Sequence, residues 1–382
     1  MKHGWEIKKL GDIVEIKNGK NQKLVETELG QYKILGSAGN VMGYSSEYIC
    51  EAGTTIIGRK GNISKPIYIN EKFWNVDTAF GLYPKNNFNP KFIYYLCLTV
   101  DFAKMNRGTT IPSLVKSEIK EINLKIPMSL PEQEKIVSIL DKAFSAIEQA
   151  KQNAEKNLKN AKELFDSYLN GIFTNKGYDW EVKKLKEITI KIGSGATPKG
   201  GSENYKLMGI SLVRSMNVYD LKFKINNLAF IDDIQAKELK NVILQEEDVL
   251  INITGASVAR CCIIPTEYLP ARVNQHVSII RVKKEIILPK FLNLLLISKY
   301  YKSQLLFTGE QGATRQAITK SQLEEFVISF PNTIMKQQKI ISKLDALSAE
   351  TKKLEEIYQQ KIIELENLKK SILQKAFSGE LK

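Results

Sequence analysis

The sequence lacks the equipment of several common protein classes. No stretch approaches the roughly 20 apolar residues that a bilayer-spanning helix needs. The opening Met1-Lys2-His3-Gly4-Trp5 does not lead into a secretory signal core. Histidine is nearly absent, with only His3 and His276, and the four cysteines (Cys50, Cys97, Cys261, Cys262) form no CxxC pair. A structural zinc site therefore has too few ligands. Cysteines this sparse read as free core thiols of a cytoplasmic protein with no membrane partner.

Catalytic and nucleotide motifs are missing as well. There is no G-x-x-x-x-G-K-[ST] phosphate loop, no G-x-S-x-G elbow and no H-E-x-x-H helix. The Asn-Pro-Pro-Tyr type tetrapeptide of a base-amino methyltransferase is not found either. The Gly-rich run Gly193-Ser194-Gly195-Ala196-Thr197-Pro198-Lys199-Gly200-Gly201 has the wrong spacing for a nucleotide cradle and reads as a loop. Asp77 and Asp248 are isolated carboxylates, and His276, at the start of a strand, reads as a satisfied structural histidine. The chain is expected to catalyse nothing, to bind no cofactor and to hold no metal.

What the sequence does have is excess positive charge and an internal repeat. The net charge is +14, which suits a polyanionic partner. Trp5-Glu6-Ile7-Lys8-Lys9-Leu10 returns as Trp180-Glu181-Val182-Lys183-Lys184-Leu185, and Pro90-Lys91-Phe92-Ile93 as Pro289-Lys290-Phe291-Leu292. Lys116-Ser117-Glu118-Ile119 returns as Lys320-Ser321-Gln322-Leu323, and Gln133-Glu134-Lys135-Ile136-Val137 as Gln337-Gln338-Lys339-Ile340-Ile341. The order is kept while the spacing grows, so the halves are one fold with different insertions. Two copies are too few for a solenoid.

Each half reads as a strand-rich α+β module followed by a long helix. The expected divisions are a first module over 1–129, a central helix over 130–175, a second module over 176–332 and a C-terminal helix over 333–382. Glycines and asparagines punctuate short β-branched runs in both modules. The first helix carries Leu140, Ala143, Ile147, Ala150, Ala154, Asn157, Ala161, Leu164 and Tyr168 at heptad spacing. The second carries Leu344, Leu347, Thr351, Leu354, Tyr358, Lys361, Leu365, Leu368 and Ile372. Such stripes are stable only when packed. An antiparallel coiled coil with an internal pseudo-twofold is expected, with Asn157 and Lys361 as polar residues that fix register. The coil would act as a ruler between the modules.

The polar loops are the candidates for double-stranded DNA contact. In the first module they are Arg59, Lys60 and Asn62, with Arg107, Thr109 and Thr110. Matching Ile56-Ile57 to Leu250-Ile251 places Thr254, Ser257 and Arg260 in the equivalent second loop, and Arg315 and Gln316 opposite Arg107. Ser194, Thr197 and Lys199 of the Gly-rich run complete the set. Arginine and lysine suit guanine or phosphate, and asparagine suits adenine. Different side chains at one fold position are expected if the modules read different sequences.

At this point the chain resembles the DNA-specificity subunit of type I restriction–modification systems. The resemblance rests on Trp180-Glu181-Val182-Lys183-Lys184-Leu185, Leu130-Pro131-Glu132-Gln133-Glu134-Lys135-Ile136-Val137, Gly193-Ser194-Gly195-Ala196-Thr197-Pro198, Asn274-Gln275, and the terminal Leu373-Gln374-Lys375-Ala376-Phe377-Ser378-Gly379-Glu380-Leu381. It covers essentially the whole chain. Ile334-Met335-Lys336-Gln337 departs from the family's Pro-x-x-Glu-Gln, which weakens the second helix start only. The resemblance implies two target recognition domains reading an asymmetric two-part site, and helices that dock two methyltransferase subunits. It also implies that those subunits bind S-adenosylmethionine and methylate adenine, while motor-nuclease restriction subunits use ATP and Mg. A partner-independent DNA-binding protein or a coiled-coil scaffold are the alternatives.

Overall fold

The computed structural model describes residues 4–85, 87–198, 201–310 and 316–380. The chain divides into two compact units, Met1–Glu155 with Gln359–Lys382, and Lys156–Tyr358. Among the described residues no helix is long and apolar enough to cross a membrane.

The first unit contains β1 (Trp5–Lys9), α1 (Leu10–Ile13), β2 (Val14–Asn18), β3 (Tyr32–Leu35), β4 (Val41–Ser45), β5 (Thr54–Gly58), β6 (Ile67–Ile69), β7 (Phe73–Asn75), β8 (Ala79–Pro84), α2 (Pro90–Leu98), α3 (Lys116–Lys120), β9 (Asn123–Pro127) and the start of α4 (Leu130–Thr174). Its strands form a four-stranded sheet ordered β2-β8-β5-β6, a three-stranded sheet ordered β4-β3-β7, and the ribbon β1-β9. The run Thr54-Thr55-Ile56-Ile57-Gly58 is buried throughout, because β5 lies inside its sheet with packed faces on both sides.

The second unit repeats the plan. It contains β10 (Trp180–Lys184), α5 (Leu185–Ile188), β11 (Thr189–Ser194), β12 (Ile210–Val213), β13 (Val218–Tyr219), β14 (Lys222–Phe223), β15 (Ala229–Ile231), α6 (Asp233–Glu238), β16 (Val249–Asn252), β17 (Cys261–Ile263), β18 (Ala271–Val273), β19 (Val277–Val282), α7 (Pro289–Ile297), α8 (Lys299–Glu310), α9 (Lys320–Glu325), β20 (Val327–Pro331) and the start of α10 (Ile334–Ser378). Its sheets run β11-β19-β16-β17 and β15-β12-β18, with the ribbon β10-β20. In both units one inner pair of the smaller sheet is parallel, β3 with β7 and β12 with β18. The hairpin β13-β14 is an addition peculiar to the second unit.

The four cysteines are buried and unbridged, and burial pushes the thiols of Cys50, Cys97 and Cys262 up to about 12. Cys261 and Cys262 are neighbours on β17 and so face opposite sides. Cys261 joins the core beneath α7, and Cys262 the core between the two sheets.

A glutamine fastens each long helix to its module. Gln133 is fully buried; its Oε1 accepts from the Asn89 N–H at 2.9 Å, and its Nε2 donates to the Pro127 carbonyl at 3.1 Å. Gln337, equally buried, accepts from the Leu288 N–H at 2.9 Å and donates to the Ile286 and Pro331 carbonyls at 2.9 and 3.0 Å. The altered residues before Gln337 leave this clamp intact. Gln337→Leu keeps the volume but strands one buried and two part-buried backbone groups, so a loss of about 2 kcal/mol is expected. A urea midpoint unchanged from wild type would contradict it.

The helices run antiparallel where they meet within a unit. In the first unit the Lys369 ammonium lies 4.8 Å from the Phe144 ring centroid, and Lys151 pairs with Glu366 at 2.8 Å. Leu140 and Ile147 are buried there with Leu373 and Ala376. In the second unit Leu169 and Phe173 share a core with Ile341 and Leu344. Ala154, Ala161 and Thr351 are also buried, and Ala143, Ala150, Leu347, Tyr358, Leu365 and Ile372 are half-buried.

Four of the expected apolar seam positions face outward instead: Leu164 and Tyr168 are 46% and 43% exposed, and Leu354 and Leu368 are 37% and 46% exposed. Beyond Ala161 the inward row is Phe165, Leu169 and Phe173, in steps of four. A straight helix with 3.6 residues per turn drifts about 20° per heptad away from a 3.5-residue stripe. Asn157 and Lys361 are exposed, so neither sits in the seam to fix register.

Candidate nucleic-acid interface

The strand after which each polar loop departs ends in the same backbone frame. In the first module the Arg59 N–H donates to the Thr78 carbonyl at 2.8 Å, and the Arg59 carbonyl accepts from the Leu114 N–H at 2.9 Å. In the second, the Ile253 N–H donates to the His276 carbonyl at 3.0 Å, and its carbonyl accepts from the Ile318 N–H at 2.8 Å. Lys60 forms a β-bridge with Ser113, and Thr254 one with Ala317. The Gly61 N–H donates to the Pro112 carbonyl at 2.9 Å, and the Gly255 N–H to the Gln316 carbonyl at 3.0 Å. Both glycines are left-handed, at φ +80° and +75°, a conformation that other residues reach only at a cost. The frame thus pairs Arg59 with Ile253, Lys60 with Thr254 and Gly61 with Gly255.

This frame brings the candidates of each module together. In the first, the Arg59–Asn62 loop lies against the turn from Arg107 to Ser113. The Asn106 side chain ties that turn, its Oδ1 accepting from Gly108 N–H at 2.8 Å and Ser113 N–H at 2.9 Å. Thr109 and Thr110 are exposed at its tip. Arg59 and Lys60 are exposed, and among the described residues no carboxylate pairs with either; the Arg59 guanidinium reaches only the Asp77 carbonyl, at 3.4 Å. Arg107 differs. It is held by Glu118 at 2.9 and 3.0 Å, and that hydrogen-bonded carboxylate raises the pKa of the guanidinium.

In the second module three loops meet at His276. The Thr197 hydroxyl donates to the Gln275 side-chain carbonyl, which orients the amide so that its nitrogen faces His276 Nε2 at 3.1 Å. The ring proton then belongs on Nδ1, which lies 2.5 Å from the Thr254 hydroxyl. The expected structural role of His276 is met by a polar chain that joins the Gly-rich run to the Thr254 loop. Gly195 comes close enough that a Cβ would meet the Val273 carbonyl at 1.8 Å, which explains glycine there. Ser194 ends β11 opposite Ser278. Ser257 is held by the Asn252 amide at 3.1 Å, Arg260 sits beside the Tyr219 ring at 4.6 Å, and Gln316 is exposed. Lys199 and Arg315 lie outside the described residues.

Several residues at these positions escaped the reading of the sequence. Lys20 is exposed and bridges Val76; it follows Gly19, which stands in the first module where Gly195 stands in the second, because Asn18 pairs with Phe80 as Ser194 pairs with Ser278. Tyr219 and Lys224 are the others, and Gln275, noted only within the Asn274-Gln275 motif, was not among the candidate contacts. Asp248 is no free carboxylate: it is 1% exposed and Arg281 grips it at 2.7 and 2.8 Å. Among the described residues no group of histidine, cysteine or acidic side chains is arranged to hold a metal ion.

Comparisons with known proteins bear on the whole chain. The family model described as the type I restriction modification DNA specificity domain matches residues 2–156 and 178–367. The MjaVIII specificity subunit of Methanocaldococcus jannaschii, a type I restriction enzyme component, is 25% identical over 99% of this chain and 93% of its own length. The EcoBI specificity subunit of Escherichia coli is 24% identical over 85% of this chain and 73% of its own. Among solved structures, a chain from a study of type I R-M complex assembly and conformational transition superposes with a TM-score of 0.78. It is 17% identical and covers 100% of this chain and 99% of that one. The HsdS subunit from Thermoanaerobacter tengcongensis gives a TM-score of 0.63 at 18% identity, covering 100% and 98%.

Proposed function

The chain belongs to the type I restriction–modification DNA specificity family as its non-catalytic specificity subunit, and from that premise we propose that each of its two target recognition domains reads one half of a bipartite, asymmetric duplex site. The observation that carries the reading is one backbone frame presented twice with unlike side chains. The first domain offers Arg59, Lys60 and Asn62, and the second offers Thr254 and Ser257 with Gln316 close by. Guanidinium and ammonium groups suit guanine or phosphate, while hydroxyls and amides suit other base edges. The net charge of +14 supplies the sequence-independent attraction.

In this reading two methyltransferase subunits dock on the outer faces of α4 and α10, bind S-adenosylmethionine and methylate one adenine in each half-site. Restriction subunits using ATP and Mg complete the complex, in the cytoplasm. Single-molecule sequencing for modified adenines, in cells with and without this chain beside its methyltransferase, tests the proposal. A two-part methylated motif that disappears with the chain is expected. An unchanged pattern with both proteins expressed would defeat it.

Arg59→Ala is expected to relax or weaken recognition of one half-site by about 1–3 kcal/mol while the other half of the motif stays as it was. Equal weakening on all duplexes would instead make Arg59 a phosphate contact.

A further inference from the structure

The frame shared by the modules leaves the second one short of charge. Where the first module places the exposed guanidinium of Arg59, the second places Ile253, which is 8% exposed. The cations of the second module come from elsewhere. β3 and β4 of the first module are joined by a short turn closed by the Gly36 N–H on the Asn40 carbonyl at 3.0 Å. In the second module the corresponding strands β12 and β15 are separated by the β13-β14 hairpin, which brings Tyr219, Lys222 and Lys224.

This hairpin is bound to the Thr254 loop. The fully buried Asn252 amide donates to the Ser215 carbonyl at 2.9 Å and to the Ser257 hydroxyl at 3.1 Å. Asn217, also fully buried, donates to the Lys224 carbonyl at 2.8 Å, and its own carbonyl accepts from the Lys224 N–H at 2.8 Å. Three of the five non-glycine residues with positive φ border the cluster, namely Leu221, Asn227 and Ala259.

Two cations share one ring at this point. The Lys224 ammonium lies 3.6 Å from the Tyr219 centroid and the Arg260 guanidinium 4.6 Å from it. The two charges are therefore separated by at most the sum of those distances, which is no more than about one Debye length at physiological salt, ~8 Å. Among the described residues no carboxylate pairs with either. The nearby Asp220 is engaged by Lys302 and by the Cys261 N–H. An aromatic face offsets part of the repulsion, and a polyanion removes the rest.

We infer that Lys224 and Arg260, held against Tyr219, form a phosphate clamp of the second domain that grips the DNA backbone beside the half-site this domain reads. The inference rests on the DNA-reading role proposed above and adds a division of labour: these two cations position, and the Thr254 loop discriminates.

The test uses the intact complex with its methyltransferase subunits and two labelled duplexes, one carrying the methylated motif and one with the second half-site scrambled. Affinity is measured against salt concentration. In the Lys224→Gln/Arg260→Gln variant the slope of log K against log salt is expected to fall by about two units on both duplexes. The methylated motif should remain the same, and Arg260→Lys should keep the wild-type slope. A slope equal to wild type in the double variant, or a loss confined to the cognate duplex, overturns the clamp. A wild-type complex that binds the cognate and scrambled duplexes equally overturns the DNA-reading role, and the clamp with it.

Discussion

Phe173→Ala is expected to destabilise the second unit by about 3–5 kcal/mol, the range for truncating a fully buried aromatic. Phe173 has no exposed surface, and its ring lies 5.5 Å from Phe291, 6.2 Å from Trp180 and 6.3 Å from Tyr301. Each contact is near edge-to-face, so the loss combines buried area with ring-pair energy. Little in the surroundings can collapse into the hole. Tyr301 is itself pinned, its hydroxyl accepting from the Ser329 N–H at 2.8 Å, and burial pushes that phenol up to about 12. The equivalent change in the first unit, Phe377→Ala, should cost clearly less. Phe377 is only half-buried and has one ring neighbour, Phe92, at 5.4 Å. Domains hold only about 5–15 kcal/mol in total, so the second unit of the Phe173 variant should melt early. Urea titration followed by circular dichroism checks this, and equal midpoints for the two variants would refute the ranking.

Arg281→Ala is expected to cost about 3–5 kcal/mol, because it abandons a buried carboxylate rather than merely deleting a contact. Asp248 is 1% exposed and takes two guanidinium bonds together with the Gln245 N–H at 2.8 Å. The pair links β16 to β19 across the sheet that supports the Thr254 loop. Removing both charges with Asp248→Asn/Arg281→Met should recover much of the loss, since a buried ion pair is often replaceable by neutral groups of similar volume. Thermal unfolding of the two variants distinguishes these cases. A double variant no more stable than the single one would show that the pair itself, and not the stranded charge, carries the energy.

The internal repeat was legible because it is written in residues that do the same work twice. Aligning Ile56-Ile57 with Leu250-Ile251 carries straight through to Gly61 and Gly255, the two left-handed glycines of the loop frame. The repeated glutamine at 133 and 337 likewise marks the two helix clamps. Of the heptad positions on the first long helix, Leu140, Ile147, Ala154 and Ala161 are buried, whereas Leu164 and Tyr168 are exposed. Beyond Ala161 the helix packs on a module core, where Phe165, Leu169 and Phe173 recur every fourth residue. The β13-β14 hairpin was illegible because its order depends on two polar side chains bonded to backbone groups: Asn217, which ties the hairpin to itself at Lys224, and Asn252, whose partner Ser215 lies far away in the chain. The commitment of Arg107 to Glu118 was hidden for the same reason: charge is visible in a sequence, whereas pairing is not.

The frame around Gly61 and Gly255 is made of main-chain bonds alone. Its integrity is therefore indifferent to the lettering mounted on it, as a printer's forme is indifferent to the type it locks in place. Lys60 and Thr254 occupy one slot and make the same main-chain bridge, to Ser113 and Ala317. Such a lineage can acquire a new target by resetting a few characters, while its fold and its machinery of assembly stay in register.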